Sequence, residues 1–233
     1  MQDMGVENAV ERGGTGPAHK GHERRKSLRD IAYETLKQQI ITCELHPGEV
    51  LSEAAVSAAL NIGRTPVHQA LDRLMIDGLV EVLPRKGVIV RPLSLHEAVE
   101  IIDVRLLNET YCVRLAAQHA DRSDIAALRR NLDRMHDAAE RRETAELMQL
   151  DREFHATISA AGRNSILADF LSNLHDRAQR FWFVSLRAAD HDRRVCEQHA
   201  SIIEGIAAHD ADAAVEAMRF HIEQFRTNVA RQI

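Results

Sequence analysis

The residues best equipped for chemistry are one carboxylate and three imidazoles: Asp151, His155, His199 and His221. Asp151 and His155 stand four apart, so on a helix they project from one face, one turn apart. They flank an apolar row of Leu147, Leu150, Phe154 and Ile158. His199 falls in step with Val195, Ile202 and Ile206, and His221 shares a row with Met218, Phe225 and Val229. A polar group left unpartnered in such a row costs ~1 to 3 kcal/mol, so the four are expected to meet. Together they offer three nitrogens and an oxygen to a divalent transition metal, zinc or nickel, with room for water or a ligand carboxylate. A competing reading is a metal-free, hydrogen-bonded core in a domain that only dimerises, since the chain has 13 His and any one of them alone reads as structural. A third makes the cluster the metal centre of an enzyme acting on a small carboxylate. Against that, no separate acid or base stands at a recognisable spacing.

Six helices have to position these residues. Apolar spacing predicts them over 95–119, 122–141, 143–161, 164–187, 190–208 and 211–231. Ser94-Leu-His-Glu97 has the form of a capping box, and Gly162-Arg-Asn164, Asp190 and Asp210 mark breaks. Short loops make neighbouring helices antiparallel, which gives an all-α bundle of six or seven helices. Arg105 falls three residues after Ile102, on the side of Val113. It is expected either to pair with Glu109 one turn away or to hold a ligand carboxylate in a bidentate fork. Phe181-Trp-Phe183 reads as core or dimer interface.

A different pattern precedes the bundle. Ser27 caps a helix with Ile31, Leu36, Ile40 and Ile41 inward, Leu45-His-Pro-Gly-Glu49 turns, and Leu51 to Leu60 forms a second helix, with Ser52 as cap and Val56, Ala59 and Leu60 inward. Gly63, Thr65 and Pro66 open a third helix that buries Val67, Ala70, Leu71 and Leu74 and ends at Gly78. Its outer face carries Arg64, His68, Gln69, Asp72 and Arg73. Residues 79–83 and 88–90 alternate around the turn Pro84-Arg-Lys-Gly87, a small β-hairpin. Three helices and a hairpin make a winged helix-turn-helix, in which the third helix reads double-stranded DNA and the wing tip presents Arg85 and Lys86. Gln69 has the geometry for a bidentate contact to adenine.

Composition fits this division. In 233 residues there is room for a disordered tail over 1–26, the head over 27–91, a linker over 92–94 and the helical domain over 95–231. Aromatics at 4% favour helix over β-sandwich. The net charge of −5 is unevenly spread: residues 20–92 hold eleven Lys and Arg against nine Asp and Glu, and residues 93–233 hold eighteen against twenty-three. So small an excess on the head calls for a local basic patch and for doubling the site in a homodimer. The three Cys are scattered and read as small apolar residues. No apolar run approaches the ~20 residues needed to cross a membrane, and the N-terminus lacks a signal-peptide core, so the cytoplasm is expected.

Leu45-x-Pro-Gly-Glu-x-Leu51, Arg64-Thr-Pro-Val67, Ala70-Leu71, Arg73-Leu74, Asp77-Gly-Leu-Val80 and Pro84-Arg-Lys-Gly-x-x-Val90, in that order, resemble the DNA-binding domain of the GntR family of bacterial regulators. The resemblance implies DNA contacts by Arg64, Thr65 and the wing tip Arg85, Lys86 and Gly87. It also exposes departures: Gly63 for Ser or Thr, His68 for Arg, Gln69 for Glu, and Asp72 for Arg. Asp151-x-x-Phe-His155, Glu197-x-His199 and His221 are similar to the metal-binding pattern of the FCD effector domain of the FadR subgroup, and Arg105 and Glu109 match its Arg-x-x-Leu-Glu segment with Asn108 in place of Leu. That implies a usually dimeric regulator at the bacterial nucleoid, by default a repressor relieved by ligand. Its metal would help bind a small organic acid, with Arg105 at the effector, and its head would read a palindromic operator.

Overall fold

The computed structural model describes residues 26–185 and 191–230. The tail ahead of Lys26, the break expected at Asp190 and the last residue of the final helix lie outside the described residues.

Helix α1, Leu28–Ile41, starts where the Ser27 hydroxyl accepts from the Asp30 amide at 3.1 Å. It buries Ala32, Tyr33, Leu36 and Ile40 in the head core, whereas Ile31 is 40% exposed because the packed face runs one residue further round. Helix α2, Glu53–Leu60, and helix α3, Arg64–Ile76, follow. Between α1 and α2 lies strand β1, Val50–Leu51, which joins β2, Val80–Leu83, and β3, Gly87–Val90, in an antiparallel sheet of order β1-β3-β2. This third strand was not anticipated: Leu51 belongs to it, pairing with Val88, and α2 begins two residues later. Helix α2 buries no residue fully and leaves Ala59 exposed, contrary to its apolar spacing. At the wing tip Arg85 and Gly87 take φ of 67° and 86°, the second being a conformation natural to glycine.

The bundle comprises α4, Leu95–His119; α5, Arg122–Arg141; α6, Thr144–Ala161; α7, Ser165–Ser185; α8, His191–Ala207; and α9, Ala211–Ala230. Side chains set several of these starts. Asp121 and Asp124 form a capping box at α5, Asn164 accepts from the Leu167 amide ahead of α7, and Asp210 accepts from the amides of Asp212 and Ala213. At α4 only half the expected box forms: Ser94 accepts from the Glu97 amide, but the Glu97 carboxylate turns to Arg177 of α7. The apolar rows read from sequence on α6 are buried, with Leu147, Leu150 and Phe154 at 0% exposure. Helices α8 and α9 approach closely because Gly205 has no side chain; a Cβ there would lie 2.6 Å from the Ala214 nitrogen. That approach brings His199 of α8 and His221 of α9 to a ring separation of 4.9 Å.

Candidate metal centre and nucleic-acid interface

Three helices converge on one point inside the bundle. Asp151 and His155 come from α6, His199 from α8 and His221 from α9, and one ligand atom of each lies within 4.8 Å of the other three. Asp151 Oδ1 is 3.4 Å from His199 Nε2 and 4.0 Å from His155 Nε2. The three imidazoles are almost wholly buried.

What each imidazole does with its other nitrogen decides what it offers. His155 Nδ1 lies 2.9 Å from Glu109 Oε2, His221 Nδ1 lies 2.9 Å from Gln198 Oε1, and His199 Nδ1 lies 3.3 Å from the thioether of Met135. All three neighbours can accept, which favours the tautomers with the proton on Nδ1 and turns the Nε2 lone pairs of His155 and His199 toward Asp151. His155 Nε2 and His199 Nε2 are buried without a hydrogen-bond partner. Such orphaned acceptors are uncommon in native interiors and here cluster on a carboxylate. Three imidazole nitrogens and a carboxylate oxygen are a donor set that suits zinc or nickel.

The electrostatics are consistent with this. Burial pushes the His199 imidazole well below its ordinary value, with His221 and His155 adding to the effect, so it is neutral near pH 7. Burial raises the Asp151 carboxyl against the pull of His155 and Arg105. Burial also works against ionised Glu109, but Arg105, His175 and His155 outweigh it and hold that carboxyl well below the usual range.

Glu109, His155 and His175 form a second cluster with metal-ligand spacing. Here Arg105 Nε already donates to Glu109 Oε1 at 2.5 Å, so a guanidinium occupies the place of the cation. His175, 3.1 Å from the same oxygen, was not singled out from the sequence. Its run Asn173-Leu-His-Asp-Arg177 looks like a solvated face, and the signal that could have found it is its step with Leu171, Ala178 and Trp182.

A cavity of about 600 Å³, counted out to its mouth, opens beside Asp151, His155 and His221. Arg105, Arg152, His175, Trp182, Arg194 and Gln224 form much of its wall. Arg105 pairs with Glu109 one turn away, as one reading of the sequence expected, and it also faces the cavity. Phe181 and Trp182 are both buried in the bundle core, as expected of their cluster, and Trp182 also reaches the cavity wall.

On the head, Val67, Ala70, Leu71 and Leu74 turn inward, leaving Arg64, Thr65, His68 and Gln69 exposed on α3, and Arg85, Lys86 and Gly87 exposed on the wing. His68 is not idle: its Nδ1 contacts Glu53 Oε1 of α2 at 2.7 Å and its Nε2 lies 3.5 Å from Asp72 Oδ2. The Glu53 hydrogen bond and the Asp72 charge raise its pKa.

A winged helix carried on an all-α bundle with a buried polar cavity is the architecture of a transcriptional regulator with a DNA-reading head and an effector domain. Family models agree: residues 28–90 match the bacterial regulatory proteins, gntR family, and residues 100–224 match the FCD domain. The chain belongs to the GntR family and carries an FCD effector domain. It is 28% identical over 201 residues to the HTH-type transcriptional repressor RspR of Escherichia coli K12, covering 86% of this chain and 88% of that protein. It is 28% identical over 185 residues to the Nta operon transcriptional regulator of Aminobacter aminovorans, covering 79% and 86%. Among solved structures, E. coli McbR/YncC superposes with a TM-score of 0.81 at 22% identity, covering 89% of this chain and 99% of that one, a likeness of fold. These matched domains and relatives are regulators of transcription, and the enzyme reading of the histidine cluster gives way to them. Among the described residues no helix is long and apolar enough to cross a membrane.

Proposed function

We propose that the chain is a ligand-responsive repressor of the bacterial cytoplasm and nucleoid that binds a palindromic operator as a homodimer and is released by a small organic acid. Asp151, His155, His199 and His221 would hold a divalent transition metal, zinc or nickel. When bound, the metal supplies a Lewis-acidic position for a ligand carboxylate. Arg105 orients that carboxylate from the cavity wall, and Glu109, Gln198 and Met135 keep the three imidazoles in the ligating tautomer. The observation that carries the reading is the convergence of four ligand atoms, two of them orphaned nitrogens, beside a cavity faced by an arginine.

Elemental analysis of protein purified without nickel resin tests it, with about one metal per chain expected and a marked loss in His199→Ala. Full retention of metal in that variant refutes the four-residue site, and a metal-free wild type that cannot be loaded favours the hydrogen-bonded core. For the head, Arg64→Ala is expected to weaken binding to genomic fragments selected by the wild type in a gel shift, with melting unchanged. Equal affinity would remove Arg64 from the interface.

A further inference from the structure

Helix α7 has two working faces. Positions 175, 178, 179 and 182 line the cavity. Positions 173, 176, 177 and 180, in the alternate helical phase, grip the head and the linker. Asn173 Nδ2 donates to Asp77 Oδ1 at 3.1 Å, and Asp77 is the C-cap of α3, whose other carboxylate oxygen accepts from Tyr33 of α1 at 2.6 Å. Asp176 Oδ2 takes Lys37 Nζ of α1 at 2.5 Å. Arg177 pairs with Glu97 and lies over Gly78, and Arg180 donates to the carbonyl of Arg91, the residue after β3 that leads into the linker.

The two faces share one group. Asp176 Oδ1 accepts from Arg152 Nε at 2.6 Å, and Arg152, between Asp151 and His155 on α6, is itself part of the cavity wall. A single carboxylate, 4% exposed, is thus divided between a cation of the cavity and a cation of the head. In so poorly solvated a place, whatever draws Arg152 away changes the hold on Lys37.

We propose that α7 carries occupancy of the cavity to the recognition helix, with Asp176 as the shared counter-ion of Arg152 and Lys37. This rests on the reading of the cavity as the metal and effector site. Filling the cavity reorients Arg152, leaves Asp176 to Lys37, and tightens α1 on α7, while Asn173 passes the shift to the Asp77 end of α3. The coupling is reciprocal, so contacts on the head side also bias the cavity.

The test uses the full-length chain stripped with EDTA, nickel(II) as the probe, and hydrogen exchange read by mass spectrometry over residues 28–41 and 70–79, alongside nickel content. One equivalent of nickel is expected to slow exchange in both segments by about fivefold or more. Lys37→Met and Asn173→Ala are each expected to take up nickel and lose most of that slowing; the second variant, at a part-buried side chain, guards against misfolding of the first. Nickel uptake with unchanged exchange in the head, or slowing that persists in both variants, overturns the proposal. Failure of the wild type to take up nickel is reported separately by the content measurement, and it overturns the metal reading and this proposal with it.

Discussion

Glu109 Oε2 lies 2.9 Å from His155 Nδ1, while Glu109 Oε1 is held by Arg105 at 2.5 Å. One buried carboxylate therefore lies against a candidate metal ligand on one side and holds a cavity guanidinium on the other. Neither could be set by α6 or by Arg105 alone, because both side chains have other rotamers available. Residues outside the metal set thus share in building the site.

Glu109→Gln is the sharpest probe of this arrangement. The amide keeps the shape but removes the charge that balances Arg105 and weakens the acceptor facing His155. Zinc affinity, measured by competition with a chromophoric chelator, is expected to fall about 10- to 100-fold. Stability of the metal-free protein in urea is expected to fall by about 3 to 5 kcal/mol, because Arg105 stays buried without its counter-ion. A variant with wild-type zinc affinity would leave Glu109 a purely structural role.

Acid should destabilise the metal-free protein through its buried imidazoles. Burial lowers His199 and His175 below the ordinary histidine value. Above about pH 6.5 both are neutral whether the chain is folded or unfolded. Below it the unfolded chain takes up protons that the folded chain refuses, so stability falls with pH until the depressed folded values are reached, by about 1.4 kcal/mol per pH unit for each extra proton. Asp151 and Asp192, raised by burial, and His68, raised by Glu53 and Asp72, run the other way. The last two stand at solvated or half-solvated positions, where such shifts weigh less than at the buried rings, and Asp151 is one carboxyl against two imidazoles. The urea midpoint of chelator-treated protein is expected to be lower at pH 5.5 than at pH 7.5, and a midpoint that does not move would contradict the burial of these rings.

The DNA-reading face has its own pH dependence, of opposite origin. Hydrogen bonding to Glu53 and the charge of Asp72 raise His68, so it holds its proton at a pH where a free histidine has lost it. Once the proton leaves, the charges of Glu53 and Asp72 stand uncompensated at the exposed side of α3. Affinity for a selected operator fragment at fixed ionic strength is expected to fall as pH rises from 6.5 to 8.5, and to fall less in His68→Gln. A profile identical in the two proteins would show that His68 is remote from the phosphates.

Much of this could be read from the chain, and what could not has a common cause. Helix limits followed from caps such as Ser27 and Asp210 and from apolar rows such as Leu147, Leu150, Phe154 and Ile158, which are local signals. The convergence of Asp151, His155, His199 and His221 followed because each polar residue interrupted a row that had to be buried. Strand β1 was missed because two residues after a Pro-Gly turn carry no alternation; β3 supplies its pairing. His175 and Asp176 were passed over because their run on α7 looks solvated until the head packs on one side of it and the cavity opens on the other. Contacts between domains leave no period in either sequence.

Gly205 tests how the site is held open to its ligands. In a helix interior, Gly→Ala ordinarily stabilises by about 1 kcal/mol. Here the new Cβ would lie 2.6 Å from the nitrogen and 2.7 Å from the Cα of Ala214, which are backbone atoms that cannot swing aside. Helices α8 and α9 must separate, and with them His199 and His221, whose rings stand 4.9 Å apart. Gly205→Ala is therefore expected to reverse the usual sign, lowering stability by about 1 to 3 kcal/mol in urea unfolding. It is also expected to weaken zinc binding, although residue 205 touches no ligand atom. Stabilisation with zinc affinity intact would mean that the two helices do not approach as closely as Gly205 permits.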